Sequence, residues 1–345
     1  MVWVYSRARY VMSVRELLIA GSSQKSITRT FVAQTHNDSS LVVHEWKRSG
    51  VVTQDSTSVS GKVFNEIIFS PSANSFAVYE TTGAETLIYA WDKDTGIGSQ
   101  VGSAQSGKRI IDISPAGDAI AFSNSSAGTY EVYAYSASGV GSLIDSTSSR
   151  IRKFSKSGNY LIATAGSTTA FLMDWDVSTG IGSTYSHPAA TYGSVRGDLS
   201  KDDSFFITIG TNGNGGMDIF PFDGSSISAK TGSLELGNSV PSDININERQ
   251  DAVIVAVADS TSPFDYIAAA PINPNKTFGT KFSASSSMRS LSQGNLADFN
   301  ATGNVVMFTQ NSNFVIQKFT SSGFGDELYR DQTAGSTWAD IIEVT

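Results

Sequence analysis

The chain has no cysteine, and only three histidines and eight prolines among its 345 residues. Without cysteine there are no disulfides and no thiolate ligands for a metal. Neither the Gly-x-Ser-x-Gly nucleophile turn nor a His-Glu-x-x-His helix occurs, so the familiar serine-hydrolase and zinc-peptidase patterns are excluded. Charged residues are also scarce, at 16%, against roughly 25% in an average soluble domain. The polar surface is therefore built mainly from Ser, Thr, Asn and Gly. The formal net charge of −8 argues against a nucleic-acid partner, because affinity for phosphate backbones rests on clustered Lys and Arg. No apolar run is long enough to span a bilayer. Near the start, the longest uncharged apolar piece is residues 17–20, interrupted upstream by Arg15 and Glu16 and too short for a signal-peptide core.

What the chain does have is repetition. Trp91-Asp92-Lys93-Asp94-Thr95-Gly96-Ile97-Gly98 returns as Trp175-Asp176-Val177-Ser178-Thr179-Gly180-Ile181-Gly182, and related turns stand at Ser138-Gly139, Ser322-Gly323 and Asp223-Gly224. Before each turn runs a strand pattern that ends on or near an aromatic: Trp46, Trp91, Tyr135, Trp175, Phe222 and Phe319. A second turn signature is anchored at Ser70, Ser114, Ser155, Ser200, Asn247 and Asn300, with 41 to 53 residues between successive anchors. That period belongs to propeller blades. After each anchor comes a nearly unbroken apolar segment, such as Ala119-Ile120-Ala121-Phe122 or Val253-Ile254-Val255. Continuous hydrophobicity means burial on both faces, as for a strand held between neighbouring sheets.

The pattern predicts an all-β, seven-bladed β-propeller. Its units cover about 28–62 with 336–345, then 63–106, 107–148, 149–189, 190–238, 239–286 and 287–335, behind an N-terminal arm over 1–27. Trp338 to Val344 reads as a first strand with nothing after it, while Thr30 to Ala33 reads as a second strand with nothing good before it. Closing the ring by placing the C-terminal strand in the first blade leaves neither edge unpaired. A competing register takes residues 16–20 as that first strand.

The hairpin Ile113-Ser114-Pro115-Ala116-Gly117-Asp118, together with Tyr89-Ala90-Trp91-Asp92 and its Thr95-Gly96, resembles seven-bladed propellers of the WD-repeat and YVTN/lactonase-like kind. The Gly-His dipeptide of standard WD repeats is missing, since His36, His44 and His187 all lack a preceding Gly. The Thr-Gly-Ile-Gly variant is also similar to propellers among tailed-phage structural proteins. Such a resemblance implies fold far more than function, because propellers host many unrelated roles.

Candidate chemistry is thin. Asp92 and Asp94 two apart before Gly96 look like the opening of a calcium loop, but no distal ligand follows and Ser178 replaces the second carboxylate in the other copy. A carboxylate bracing its own turn is the simpler expectation. His44 is expected buried on the third strand of the first blade, His36 in a hairpin loop, and His187 exposed in a connecting segment. Gly61-Lys62 and Gly107-Lys108 lack phosphate-loop spacing, and the glycine-rich stretch 210–216 reads as a flexible hairpin loop. The repeated aromatics fit packing better than a ligand platform. Arg7, Arg9 and Arg15 among Trp3, Tyr5 and Tyr10 make the arm a docking segment, unless Met12 is the true start. A carboxylate pair could meet at the central channel, though the sequence selects none.

These readings predict no catalytic, cofactor-binding or metal-binding residue. They favour a non-enzymatic phage virion component of the tail or surface assembly, partnered by other virion proteins or by a host surface protein or glycan. Two alternatives stand beside it. One is a lactonase-like hydrolase, which requires ionisable groups converging on the channel; the other is a cellular scaffold that binds peptides.

Overall fold

The computed structural model describes residues 29–344, except 37–39, 48–49, 59–61, 73, 167–168, 212–214, 238, 260–265, 284–296, 300–304, 311–312, 321 and 332–335. The expected N-terminal arm, its arginines and the alternative first strand at 16–20 lie outside the described residues. Among the described residues are seven antiparallel sheets and no helix.

Each sheet is a meander of four strands, and sheet II carries an additional two-residue strand. The innermost strands are Ser336–Val344 (sheet I), Phe64–Phe69 (II), Lys108–Ile113 (III), Arg150–Phe154 (IV), Arg196–Leu199 (V), Ser239–Ile246 (VI) and Ala297–Phe299 (VII). Sheet I is assembled from both ends of the propeller. Ser336–Val344 pairs antiparallel with Arg29–His36, with Phe31 opposite Ile342 and Ala33 opposite Asp340. The C-terminal strand thus closes the first sheet as the unpaired ends predicted.

Six apolar clusters run through the seams between successive sheets, from I–II through VI–VII. At the remaining seam, Val305–Gln310 of sheet VII lies against Ser336–Val344 of sheet I. The second strands show why their sequences are apolar without alternation. In Ser75–Glu80, Phe76 and Val78 pack toward sheet I while Ala77 packs toward sheet III. In Tyr160–Ala165, Leu161 and Ala163 face sheet III while Tyr160 and Ile162 face sheet V. Successive side chains point to opposite faces, and here both faces meet a neighbouring sheet.

The repeated turns are geometric devices. The anchor side chain closes its own hairpin: Ser114 Oγ accepts from Ala119 N at 3.0 Å, Ser200 Oγ from Phe205 N at 3.0 Å, and Asn247 Oδ1 from Ala252 N at 3.1 Å. In the other turn, Asp92 Oδ1 accepts from Asp94 N and Thr95 N, both at 2.9 Å, and Asp176 does the same with Ser178 N and Thr179 N. Gly96 and Gly180 follow with φ of 84° and 82°, a region that costs other residues strain. The aromatics before these turns plug the seams. Trp91, 2% exposed, stands edge-on to Phe31 of sheet I at 4.8 Å and to Phe69 at 5.1 Å. Tyr135 of sheet III reaches Ser75 of sheet II, hydroxyl to hydroxyl, at 2.7 Å.

Because strands alternate in direction, both turn signatures fall on one face. The opposite face carries the segments that enter the inner strands and the hairpins between second and third strands. That second face bears the candidate site.

Candidate functional site at the start of the inner strands

In sheets IV, V and VI the inner strand has one apolar side against the preceding sheet and polar residues on the side toward the next inner strand. Ile151 and Phe154 pack toward sheet III, whereas Lys153 of the same strand reaches Asp198 of sheet V. Ile244 and Ile246 pack toward sheet V, and Asp198 reaches back to them from the other side of that seam. Two rows of polar residues result. Counting back from the anchors, the row two residues before them holds Asp112, Lys153, Asp198 and Asn245. The row nearer the strand starts holds Glu66, Arg109, Arg150, Arg152, Arg196 and Asp243.

The lower row ties the sheets together. Asp112 Oδ2 accepts from Phe154 N of the next sheet at 2.8 Å, and its Oδ1 from Ile113 N at 2.8 Å. Asp198 repeats the device two sheets on: Oδ2 accepts from Ile246 N at 2.7 Å and Oδ1 from Leu199 N at 3.0 Å. Lys153 spans further, with Nζ 2.8 Å from Asp198 Oδ1 and 3.0 Å from Ile244 O of sheet VI. Burial pushes the Asp112 carboxyl up to about 6, outweighing the two backbone N–H groups and the Lys153 charge, while Asp198 adds repulsion.

Arginine dominates the upper row. A β-bulge in the inner strand of sheet IV leaves Arg152 without a cross-strand partner, because Ile151 opposes Ala163 and Lys153 opposes Ile162. The bulge directs the consecutive residues Arg152 and Lys153 away from the apolar seam, the re-aiming for which bulges are used. Burial, then repulsion from Arg196 and Arg150, holds the Arg152 guanidinium down to about 10. Arg196 is lowered by burial and by Arg150, with Asp243 acting in the opposite direction. The Arg152 Nε is buried without a partner. Among the described residues, the guanidiniums of Arg150, Arg152 and Arg196 make no hydrogen bond or ion pair. Three guanidiniums without an ion pair, with only the Asp243 carboxylate acting against them, within a chain of net charge −8, form a local field suited to an anion or to developing negative charge.

On the sheet II side, the row is completed by an ion pair. Arg109 donates Nε to Glu66 Oε1 at 2.8 Å and bonds the same oxygen through Nη2. Its guanidinium lies 5.7 Å from the Tyr79 ring centroid.

The residues singled out from the sequence are placed elsewhere. His44 is buried on Ser40–Lys47, the third strand of sheet I. His36 ends the strand Arg29–His36 and pairs across a bulge with Ser336, so it is not a loop residue. His187 is half-buried and not simply exposed: its ring stacks on Phe220 at 4.9 Å and Nε2 lies 2.8 Å from Ser194 Oγ, which accepts from Ala170 N. Lys62 pairs with Glu85 at 2.5 Å, and Lys108 with Glu131 at 3.4 Å. Gly210 and Gly216 are strand residues, where a flexible loop was expected. A Cβ on Gly210 would come 2.1 Å from Tyr192 O, and one on Gly216 would come 2.4 Å from the Tyr192 ring. Residues 212–214 and the side chain of Trp46 lie outside the described residues.

No protein-family model matches the chain, and no curated protein matches it in sequence. Solved structures do resemble it. A candidate 6-phosphogluconolactonase from Bacteroides fragilis superposes with a TM-score of 0.71 at 11% identity, covering 93% of this chain and 99% of that one. The periplasmic gluconolactonase of Pseudomonas aeruginosa gives 0.69 at 13% identity, covering 92% and 99%. Hydrazine synthase from Kuenenia stuttgartiensis gives 0.59 at 11% identity, covering 81% and 95%. At these identities the likeness establishes the propeller fold, and the lactonase-like side of the expected resemblance is the one that matches.

The expectation of a non-enzymatic virion component is overturned. None of these three structures is a phage protein, and two carry lactonase names. Ionisable groups of neighbouring inner strands also meet, as Lys153 does with Asp198 and Arg109 with Glu66. The physical reason is that these partners lie on neighbouring sheets and more than 40 residues apart in sequence, so only the packing of one sheet against the next brings them together. No helix among the described residues is long and apolar enough to cross a membrane.

Proposed function

We propose that the protein is a hydrolase of lactones that takes its substrate at the face where the inner strands begin. The observation that carries this reading is the group of Arg150, Arg152 and Arg196 beside the inner strands of sheets IV and V, of which Arg152 and Arg196 are partly buried, and which has no ion pair among the described residues. Opening a lactone places negative charge first on the carbonyl oxygen and then on the product carboxylate. Preorganised cationic donors in a partly dehydrated site stabilise such charge most effectively, because they need no reorganisation as it develops. The names of the B. fragilis and P. aeruginosa structures support the choice of lactone over other esters.

The lower row is the frame of this site. Both oxygens of Asp112 and of Asp198 are held by backbone N–H groups, so they fix the spacing of the inner strands under the arginines. Proton release at constant pH, with glucono-δ-lactone and its 6-phosphate as substrates, tests the reading. Hydrolysis above the rate in buffer is expected, with kcat/KM lowered at least about 10-fold in Arg196→Met, the loss typical of one charge-assisted contact. Rates equal to buffer for both lactones would sink it.

A further inference from the structure

Lactone hydrolysis needs a group that takes a proton from water, and the channel carboxylates differ sharply in their freedom to do so. Asp112 and Asp198 each have both oxygens engaged by backbone N–H groups, and Asp243 has a partner of its own. Glu66 is different. It is 5% exposed, its Oε1 takes both bonds from Arg109, and its Oε2 is buried with no hydrogen-bond partner. A buried carboxylate oxygen without a donor is costly, and such orphans in folded proteins mark catalytic or ligand-binding positions often enough to require an explanation.

The placement of Glu66 also fits. It lies four residues before its anchor Ser70, as Arg196 does before Ser200 and Asp243 before Asn247. A bulge at Asn65, between the pairs Phe64–Glu80 and Glu66–Tyr79, turns it toward sheet III. There Arg109 is held by the Glu66 carboxylate and by the Tyr79 ring, with about half of its side chain, 53%, still exposed. An acceptor oxygen without a donor therefore stands beside a pinned guanidinium that has N–H groups to spare.

We infer that Glu66 is the water-activating carboxylate of this channel and that Arg109 is its positioning residue; the inference rests on the lactone-hydrolase reading above. Glu66 Oε2 takes a proton from water as the water oxygen bonds to the lactone carbonyl carbon, and the carbonyl π pair moves onto its oxygen. When that pair returns, the bond from carbon to ring oxygen breaks, and the ring oxygen leaves with the proton from Glu66. Lactone and water become one hydroxy acid, and the carboxylate is restored.

Proton release from glucono-δ-lactone and its 6-phosphate by the full chain is the test. Glu66→Gln keeps an oxygen for Arg109 but cannot accept the proton. Its kcat is expected to fall about 100-fold or more, with KM within about twofold and an unchanged melting temperature. Arg109→Met is expected to lower kcat with KM within about twofold, and Arg109→Lys to recover part of that loss, which a purely structural role would not produce. Should Glu66→Gln fold poorly, Glu66→Ala is expected to regain activity with added formate. Wild-type activity retained within about threefold in Glu66→Gln, or a folded Glu66→Ala that formate does not rescue, overturns the assignment alone. An inactive wild type overturns the lactone reading and this assignment together.

Discussion

Asp198 accepts the backbone N–H of Ile246 at 2.7 Å and the Lys153 ammonium at 2.8 Å, so one fully buried carboxylate joins the inner strands of three consecutive sheets. Asp112 makes the equivalent bond to Phe154 N, and Lys153 occupies the corresponding position between them. The apolar clusters that fill the seams are non-directional. These contacts are directional, and they set where the arginines above them stand.

Asp198→Ala should therefore cost more than a surface ion pair. It strands the Ile246 N–H and leaves Lys153, 23% exposed along its side chain, without its carboxylate. Removing one partner of a buried pair costs about 3–5 kcal/mol. Urea unfolding should show a loss of that size, and a loss below about 1 kcal/mol would mean that the strap is dispensable.

Asp112 predicts a pH dependence opposite to that of an ordinary paired carboxylate. Its folded value is raised to about 6 from 3.8, so between those values the folded state holds a proton that the unfolded state has lost. Its contribution to stability is full below about pH 4 and is lost as pH rises through 6, a change on the order of 2–3 kcal/mol. The stability difference between wild type and Asp112→Asn, followed by denaturant unfolding from pH 4 to 7, should shift against the wild type over that window. A flat difference would contradict the raised value.

Arg152 should trade stability for function. Its buried Nε lacks an acceptor and its charge faces Arg150 and Arg196. Arg152→Met keeps most of the volume and removes both penalties, so the ligand-free protein should gain about 1 kcal/mol while lactone turnover weakens. A lower melting temperature in Arg152→Met would show that the guanidinium supports the fold.

Gly210 is a close-approach glycine. Gly210→Ala would place Cβ 2.1 Å from Tyr192 O and 2.3 Å from Gly193 O. Asp218 holds this segment through Thr191 N at 2.6 Å and Tyr192 N at 3.3 Å, and the segment leads into Arg196. Overpacking of this kind costs about 1–3 kcal/mol. Thermal unfolding should report that loss, and lactone turnover should fall with it as Arg196 shifts; a variant with wild-type stability would show that the segment yields freely.

The repeat, the all-β propeller and the way the ring closes were legible in the residue pattern alone. Those features rest on short-range chemistry: Ser114 bonding its own hairpin, Asp92 bracing its own turn, Gly96 supplying a positive φ, and an apolar run long enough to bury both faces of a strand. Trp338 to Val344 and Thr30 to Ala33 could be joined because each lacked a partner that the repeat required. A trace of the site was also present in register, since the position two residues before the anchor reads Asp112, Lys153, Asp198 and Asn245 in four successive units, against the apolar Ile68 in the unit before them. The meeting of Glu66 and Arg109 across a seam, the bulge that turns Arg152 out beside Lys153, and the three guanidiniums without an ion pair among the described residues emerge only from the packing of the sheets. Those facts depend on the distance between sheets more than 40 residues apart in sequence and on bulges that shift register by one residue, and neither quantity is encoded in the local pattern that counts the repeats.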